Sequence, residues 1–291
     1  MIWNDRDLYT VERFGSSSPQ LFIELPHGCI HIEEYERFTQ NISELPENLV
    51  DFFLVNTDIG TPELGFEIAR LIQEKVGVVV LRSRIPRTLI DCNRILSLNE
   101  EAYKEGKVTP GIPSYVPLDH HQWLKEIHQR YTEKSKELFE EVCAQGGYAM
   151  MLHSYAPRSV GIDSIDHQIV EKLHWAYQDK IYKTWPLRPQ IDFIAKTQDN
   201  QWLGAKERIL SIKQRMEADG LEVGISSTYP MHPATTAYMH TEKYPNQTLC
   251  IEIRRDLLMK KFRPFTQLDA DPQQIQRFAR LIGLDFFERN E

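Results

Sequence analysis

Apolar and polar positions along the chain fall into blocks that predict strands and helices in alternation. Leu21-Phe-Ile-Glu-Leu25 is a short, nearly continuous apolar run ended by Pro26-His27-Gly28, and it reads as a buried strand stopped by proline and followed by a turn. His27 therefore stands at a strand's end. After a turn over 57–62, the segment 63–75 sets Leu64, Ile68, Leu71 and Ile72 on one helical face, with Asp58 and Glu63 near its start. Val76 to Arg82 is the next strand. Residues 110–117 are proline-rich and read as a loop; 120–145 then form a long helix that ends at Gly146-Gly147. Tyr148-Ala-Met-Met-Leu152 is a strand that repeats the arrangement at His27, because His153-Ser154 follow it immediately.

The remainder continues in the same way: strand 191–195, helix 204–219 closed by Gly220, strand 221–226, strand 248–253 and a terminal helix over 271–287. Asp271 starts that last helix with Pro272 in its first position. Such alternation predicts an α/β fold with a mixed, largely parallel twisted sheet and helices on both faces, where ligands gather beyond the carboxyl ends of the strands. His27 and His153 fall there. No internal repeat, low-complexity stretch or linker divides the 291 residues, so a single domain is expected.

Composition narrows the function classes. With 41% hydrophobic and 26% charged residues the chain is an ordinary folded protein. A net charge of -8 argues against a surface that tracks phosphate backbones, so nucleic acid is not an expected partner. The first residues lack the pattern of a secretory signal, and no apolar run is long enough to span a bilayer, so a cytoplasmic protein without a membrane partner is expected. Cys29, Cys92, Cys143 and Cys250 show no CxxC spacing and read as buried thiols, neither a disulfide framework nor a cysteine zinc site.

Three constellations carry candidate chemistry. Histidines at the ends of two different strands can converge on one ion, although each alone could equally cap a strand. A catalytic zinc takes about three protein ligands and one open position, so a carboxylate should join His27 and His153. Asp58, Glu63 and His31 are the nearby choices. Asp58 is favoured because it lies in a turn, whereas Glu63 could simply offset a helix dipole and His31 reads as a surface residue. Next, the stretch 83–94 is the densest basic cluster of an acidic chain. Its arginines could clamp a carboxylate bidentately with Asn93 adding an amide donor, or form a solvated loop. Finally, Glu252 sits in an apolar strand. Alternation puts Leu249, Ile251 and Ile253 on one face and Cys250, Glu252 and Arg254 on the other, so Glu252 is either a general base or a partner of Arg254.

Taken together and in this order, Pro26-His27-Gly28, Thr57-Asp58-Ile59-Gly60 with Glu63-Leu64, Arg87 to Asp91 with Asn93-Arg94, Leu152-His153-Ser154 and Ile251-Glu252-Ile253-Arg254 resemble the N-formylglutamate amidohydrolases over most of the chain. Asp91-Cys-Asn-Arg94 and the strand carrying Glu252 are the more specific parts. The resemblance implies a single catalytic domain over 1–291, similar in fold to the zinc carboxypeptidases, that is, the phosphorylase/hydrolase-like fold. It implies one divalent ion, zinc, on His27 and His153 with Asp58 as the favoured third ligand. Asn93 and Arg94 would hold the carboxylate of a small-molecule N-acyl amino acid, Arg87 would assist or polarise the scissile carbonyl, and Glu252 would act as base. Tyr229-Pro230 resembles a segment near the family's pocket. In the carboxypeptidases a glutamate follows the first histidine by three residues; that position is Ile30 here, so the carboxylate must come from elsewhere. Two other readings are a carboxylate-binding protein that lacks catalysis, and a hydrolase using Ser154 or Cys29 as nucleophile.

Overall fold

Near-continuous apolar runs become the middle of a sheet when helices cover both of its faces, and four such runs do so here. The computed structural model describes residues 3–15, 18–97, 108–162 and 164–288. Its strands are β1 (Tyr9–Phe14), β2 (Pro19–Leu25), β3 (Gly77–Ser83), β4 (Tyr148–Tyr155), β5 (Ile191–Phe193), β6 (Val223–Ile225) and β7 (Thr248–Arg254). They form one sheet in the order β1-β3-β2-β4-β7-β5-β6. The four central strands β3, β2, β4 and β7 are mutually parallel; β1 and β5 are antiparallel to their inner neighbours, and β6 is parallel to β5. The mixed, largely parallel sheet expected from the sequence is the one observed.

The helices are α1 (Asp5–Leu8), α2 (Ile32–Thr39), α3 (Leu49–Asn56), α4 (Thr61–Ile72), α5 (His121–Cys143), α6 (Ile169–Ala176), α7 (Asp179–Tyr182), α8 (Lys206–Ala218), α9 (Thr236–Lys243) and α10 (Pro272–Glu288). On one face α4, α8 and α10 pack over Ile23, Val80, Leu152 and Ile251. On the other, α5 crosses β2, β4 and β3 and buries Phe139 against Phe22, their rings edge to face. Asp271 caps α10 as expected, its Oδ1 accepting from Gln273 N at 2.9 Å. All four cysteines are free and buried.

Several expectations are corrected. β4 does not stop at Leu152: it pairs with β7 as far as Tyr155 opposite Arg254, so His153 lies inside the strand. A polar pair resembled a strand end, but both side chains have partners at that depth. Helix α4 starts at Thr61, two residues earlier than expected, because Pro62 occupies the first turn, where its missing N–H costs nothing. Leu71 is 36% exposed and sits at the edge of the buried face that Leu64, Ile68 and Ile72 define. β5 and β6 are shorter than the sequence suggests. β1, α1, α2, α3, α6, α7 and α9 were not anticipated.

Chain order decides where the site is. From β2 the chain passes to β3 on one side, then crosses to β4 on the other. The strand order therefore reverses around β2, and the crevice outside the β2 and β4 carboxyl ends is the place such sheets offer a ligand. Among the described residues, no helix is long and apolar enough to cross a membrane.

Candidate active site

His27 follows β2 in a tight turn closed by Gly28 N donating to Leu25 O at 3.1 Å. Any side chain at position 28 would collide with its surroundings, since a Cβ there would stand 2.6 Å from Arg82 Cγ. Arg82 holds the same turn through its Nε on Gly28 O at 2.8 Å. Asp58 comes from the link between α3 and α4. That link is strapped by Thr57 Oγ1 on Cys29 O at 2.7 Å, Thr61 Oγ1 on Asp58 O at 2.8 Å and Ser154 Oγ on Ile59 O at 3.1 Å. His153 is fixed by the pairing of β4 with β7.

These three side chains, all buried, converge. His27 Nδ1 stands 3.1 Å from Asp58 Oδ2, His153 Nδ1 stands 3.0 Å from the same oxygen, and the two Nδ1 atoms are 3.2 Å apart. Ligand atoms ~2.0–2.1 Å from a tetrahedral zinc are about 3.3 Å from one another, so the triangle has the dimensions of one face of such a site. The donor chemistry agrees. His27 Nε2 faces Asp91 Oδ1 at 2.7 Å, which assigns the ring proton to that nitrogen and turns the Nδ1 lone pair toward the triangle. His153 Nε2 is buried with no partner, so the contacts of that ring's nitrogens are those its Nδ1 makes inside the triangle. Two imidazole nitrogens and a carboxylate oxygen so close together are a set that could hold a metal ion.

Charge around the triangle is arranged to keep the carboxylates ionised. Burial alone would raise both acids. For Asp58 the neighbouring His27, His153 and Arg87 outweigh it; for Asp91 Arg94, His27 and Arg87 do, and both carboxyls are held below the usual carboxylate range. Asp58 Oδ1 lies 3.5 Å from Arg87 Nη1 and 3.6 Å from Arg255 Nη2, which leaves Oδ2 to the histidines. Arg255 is itself buried and anchored on the carbonyls of Val55 and Ser154. Glu252 projects from β7 beside His153, its register partner across the β4–β7 pair, and is partly exposed to the cavity. Burial pushes its carboxyl up to about 7; His153 pulls against that and the Asp58 charge adds to it. Glu252 does not pair with Arg254, which binds Asp256 at 2.8 Å instead.

All of these groups open on one cavity of about 530 Å³, within the usual range for a small-molecule site. Arg87, Asn93 and Arg94 line it. Arg87 Nη2 binds Asp91 Oδ2 at 3.1 Å. Asn93 Oδ1 is occupied by Thr236 Oγ1 and Ala237 N at 2.9 and 3.2 Å, so only its amide N–H groups could serve a ligand. Arg94 donates to Thr109 O and Asn93 O and stands 3.6 Å from Asp91, so its fork is largely engaged within the protein. Glu63 is not brought to the triangle; it lines a separate cavity of about 340 Å³ with His31 and Arg82. His31 is exposed, as expected. Cys29 does not line the site, and burial drives its thiol well above its ordinary value. Ser154 lines the cavity but donates its hydroxyl proton to Ile59 O, so neither nucleophile is assembled with a base.

A model of the N-formylglutamate amidohydrolase family matches residues 21–259. The chain belongs to that family. Membership makes hydrolysis of amide bonds its reaction class. Among solved structures, an N-formylglutamate amidohydrolase from Ralstonia eutropha JMP134 is similar over 98% of this chain and 97% of its own, at 14% identity and a TM-score of 0.61. A gene product of Agrobacterium tumefaciens is similar over 99% of both chains, at 17% identity and a TM-score of 0.56. A carboxypeptidase A from Helicoverpa armigera aligns over 98% of this chain and 69% of its own, at 8% identity and a TM-score of 0.41. No curated protein sequence matches.

Asp91, Arg255 and Arg188 were given no part by sequence reasoning. Asp91 had a signal, since it belongs to the Asp91-Cys-Asn-Arg94 block that carries the family resemblance, and so had Arg255, which follows Glu252-Ile253-Arg254 in the other specific block. Arg188 had none: its partners lie as far as 41 residues away, and no spacing rule reaches that far.

Proposed function

We propose that the chain, as one catalytic unit, is a zinc-dependent amidohydrolase that cleaves the amide of an N-acyl amino acid with a free carboxylate, such as N-formylglutamate. The observation that carries this reading is the His27–Asp58–His153 triangle, 3.0–3.2 Å on each side, with Glu252 beside it on the wall of the same cavity. His27 Nδ1, His153 Nδ1 and Asp58 Oδ2 would hold the ion. When bound, a divalent ion supplies Lewis acidity toward the scissile carbonyl and brings the pKa of a water toward ~7.

The remaining work falls to side chains. Glu252, pushed up to about 7, is poised to take a proton from the attacking water and return it to the leaving nitrogen as the C–N bond breaks. Asp91 keeps the His27 ring in the tautomer that presents Nδ1. Arg87 reaches the cavity from its anchor on Asp58 and Asp91, so its positive charge is available to the carbonyl oxygen as negative charge develops there. Asn93, through its amide N–H groups, and Arg94, through its charge, orient the substrate's carboxylate and so the scissile bond.

Untagged protein should carry one zinc per chain by elemental analysis and hydrolyse N-formylglutamate in a way that chelator abolishes and zinc restores. Glu252→Gln should keep the zinc and lose ~10²–10⁴-fold in kcat. Zinc without turnover in the wild type would favour a carboxylate-binding protein. Absence of metal under replete conditions, with no gain on adding it, overturns the ligand assignment.

A further inference from the structure

Among the described residues, five arginines line the cavity: Arg87, Arg94, Arg158, Arg188 and Arg255. Arg87 and Arg255 are ion-paired with Asp58, and Arg87 and Arg94 with Asp91, so the charge of these three is answered from inside the protein. Arg188 differs. Its Nε donates to Ser159 Oγ at 2.9 Å, Nη2 to the Tyr229 hydroxyl at 2.7 Å and Nη1 distantly to Ala156 O at 3.5 Å. The guanidinium lies over two rings, 5.1 Å from the centre of Tyr155 and 5.5 Å from that of Tyr229. All of these partners are neutral, and no carboxylate is ion-paired with it among the described residues. A guanidinium has five N–H donors, so two remain uncommitted.

The backbone of Arg188 is pinned on both sides: its N–H donates to Pro157 O at 2.9 Å, and its carbonyl accepts from Arg254 Nη1 at 3.1 Å. Two aromatic faces and two hydroxyls fix the side chain. The group is thus ordered before any ligand arrives, which lowers the entropy cost of using it. Its place in the sheet matters as much. Arg94 follows β3 and reaches the triangle through Asp91 and His27, on the β2 side. Arg188 precedes β5, whose start lies at the carboxyl end of β7, and it stacks on Tyr155 at the end of β4. With the sheet order β3-β2-β4-β7-β5, the two cations approach the triangle and Glu252 from opposite sides.

We propose that Arg188, held between Tyr155 and Tyr229, is a second carboxylate-binding point of the cavity and selects substrates with an anionic group besides the one held near Arg94. The identity of the substrate rests on the hydrolase reading above, whereas the anion site itself does not. The second carboxylate can belong to the amino-acid side chain or to the far end of the acyl group, and the two sources are separable.

Two pairs of substrates, each differing by carboxylate against amide, test it: N-formylglutamate with N-formylglutamine, and N-succinylalanine with N-succinamoylalanine. In one pair the wild type should favour the carboxylate member, and that pair names the source. Arg188→Gln should lower its kcat/KM by about 10- to 100-fold, chiefly through KM, and leave the amide member nearly unchanged. Arg188→Lys should keep part of the preference. As a readout apart from turnover, calorimetry with glutarate should show binding to the wild type that weakens about tenfold or more in Arg188→Gln. Equal loss on both members of a pair would mean that Arg188 acts only through Glu252, and it overturns the proposal, as does glutarate binding that Arg188→Gln does not change. If the wild type hydrolyses nothing yet binds glutarate through Arg188, the site stands and the hydrolase reading falls.

Discussion

His240 shows what one buried side chain can do to stability. It lies in α9 with its ring stacked on Phe139, centroids 3.9 Å apart and planes within 7°, and its Nε2 meets no partner. Burial, reinforced by Lys243 and Lys136, pushes its pKa down from 6.5 to about 3. The folded state therefore resists a proton that the unfolded chain accepts. The contribution is complete above the unfolded value and is lost as pH falls from 6.5 toward 3, at ~1.4 kcal/mol per pH unit. Between pH 6.5 and pH 5 this comes to ~2 kcal/mol. His240→Phe keeps a ring against Phe139 and removes the titration, so urea midpoints of that variant should differ less between pH 7 and pH 5 than those of the wild type. Equal pH dependence in the two proteins would show that the acid loss originates elsewhere. No apolar pattern marks this residue in the sequence. His27 and His153 were legible for the opposite reason: each follows a run of apolar strand residues, and a polar ring at that point stands out. Asp58 was legible only as a turn carboxylate, and its separation from Glu63 needed the second cavity to be seen.

The strands β2, β3, β4 and β7 could be read from the sequence because each is largely buried and shows a nearly continuous apolar run. The other elements are weaker signals. β1 is an edge strand with one buried position, and its Tyr-Thr-Val-Glu-Arg-Phe has neither a run nor a clean alternation. The eight residues of α3 are almost all apolar, too short and too uniform to show a helical period. Helix α9 is capped locally by Thr235 Oγ1, which accepts from Tyr238 N at 3.1 Å, and also by a residue 143 positions before Thr236: Asn93 Oδ1 accepts from Thr236 Oγ1 and Ala237 N. Asn93 is therefore both the anchor of a helix and a cavity residue. Two substitutions separate these roles. Asn93→Asp retains the accepting oxygen, so the helix should stay in place while the amide donors toward the cavity are lost; stability should change little and KM for the substrate should rise. Asn93→Ala removes both and should also cost about 1–2 kcal/mol, in line with the loss of a helix-capping side chain. Melting curves and steady-state kinetics on the pair check this, and a rise in KM in Asn93→Ala alone would assign the effect to the helix.

Across the whole molecule, the proposed metal would join parts of the fold that sequence keeps apart. His27 ends β2, Asp58 lies between α3 and α4, and His153 belongs to β4, so an ion in the triangle would tie the centre of the sheet to the helical layer above it. The straps at Thr57, Thr61 and Ser154 hold the link that carries Asp58 in place beside the two histidines. Metal binding is then expected to appear as global stability, because the unfolded chain cannot assemble the three groups. At free zinc 100 times the dissociation constant the gain is about 2.7 kcal/mol, which for a chain of this size is on the order of 5 °C in Tm. Scanning calorimetry of chelator-treated protein, with and without zinc, measures the shift. His153→Ala should have a lower Tm of its own, from the cavity it leaves in the sheet, and show almost no response to zinc, since the triangle then has two corners. Glu252→Gln should respond as the wild type does, because Glu252 stands beside the ion position without being a corner of it. A zinc response that survives in His153→Ala, or disappears in Glu252→Gln, would move the ion away from the triangle and toward the β7 side of the cavity.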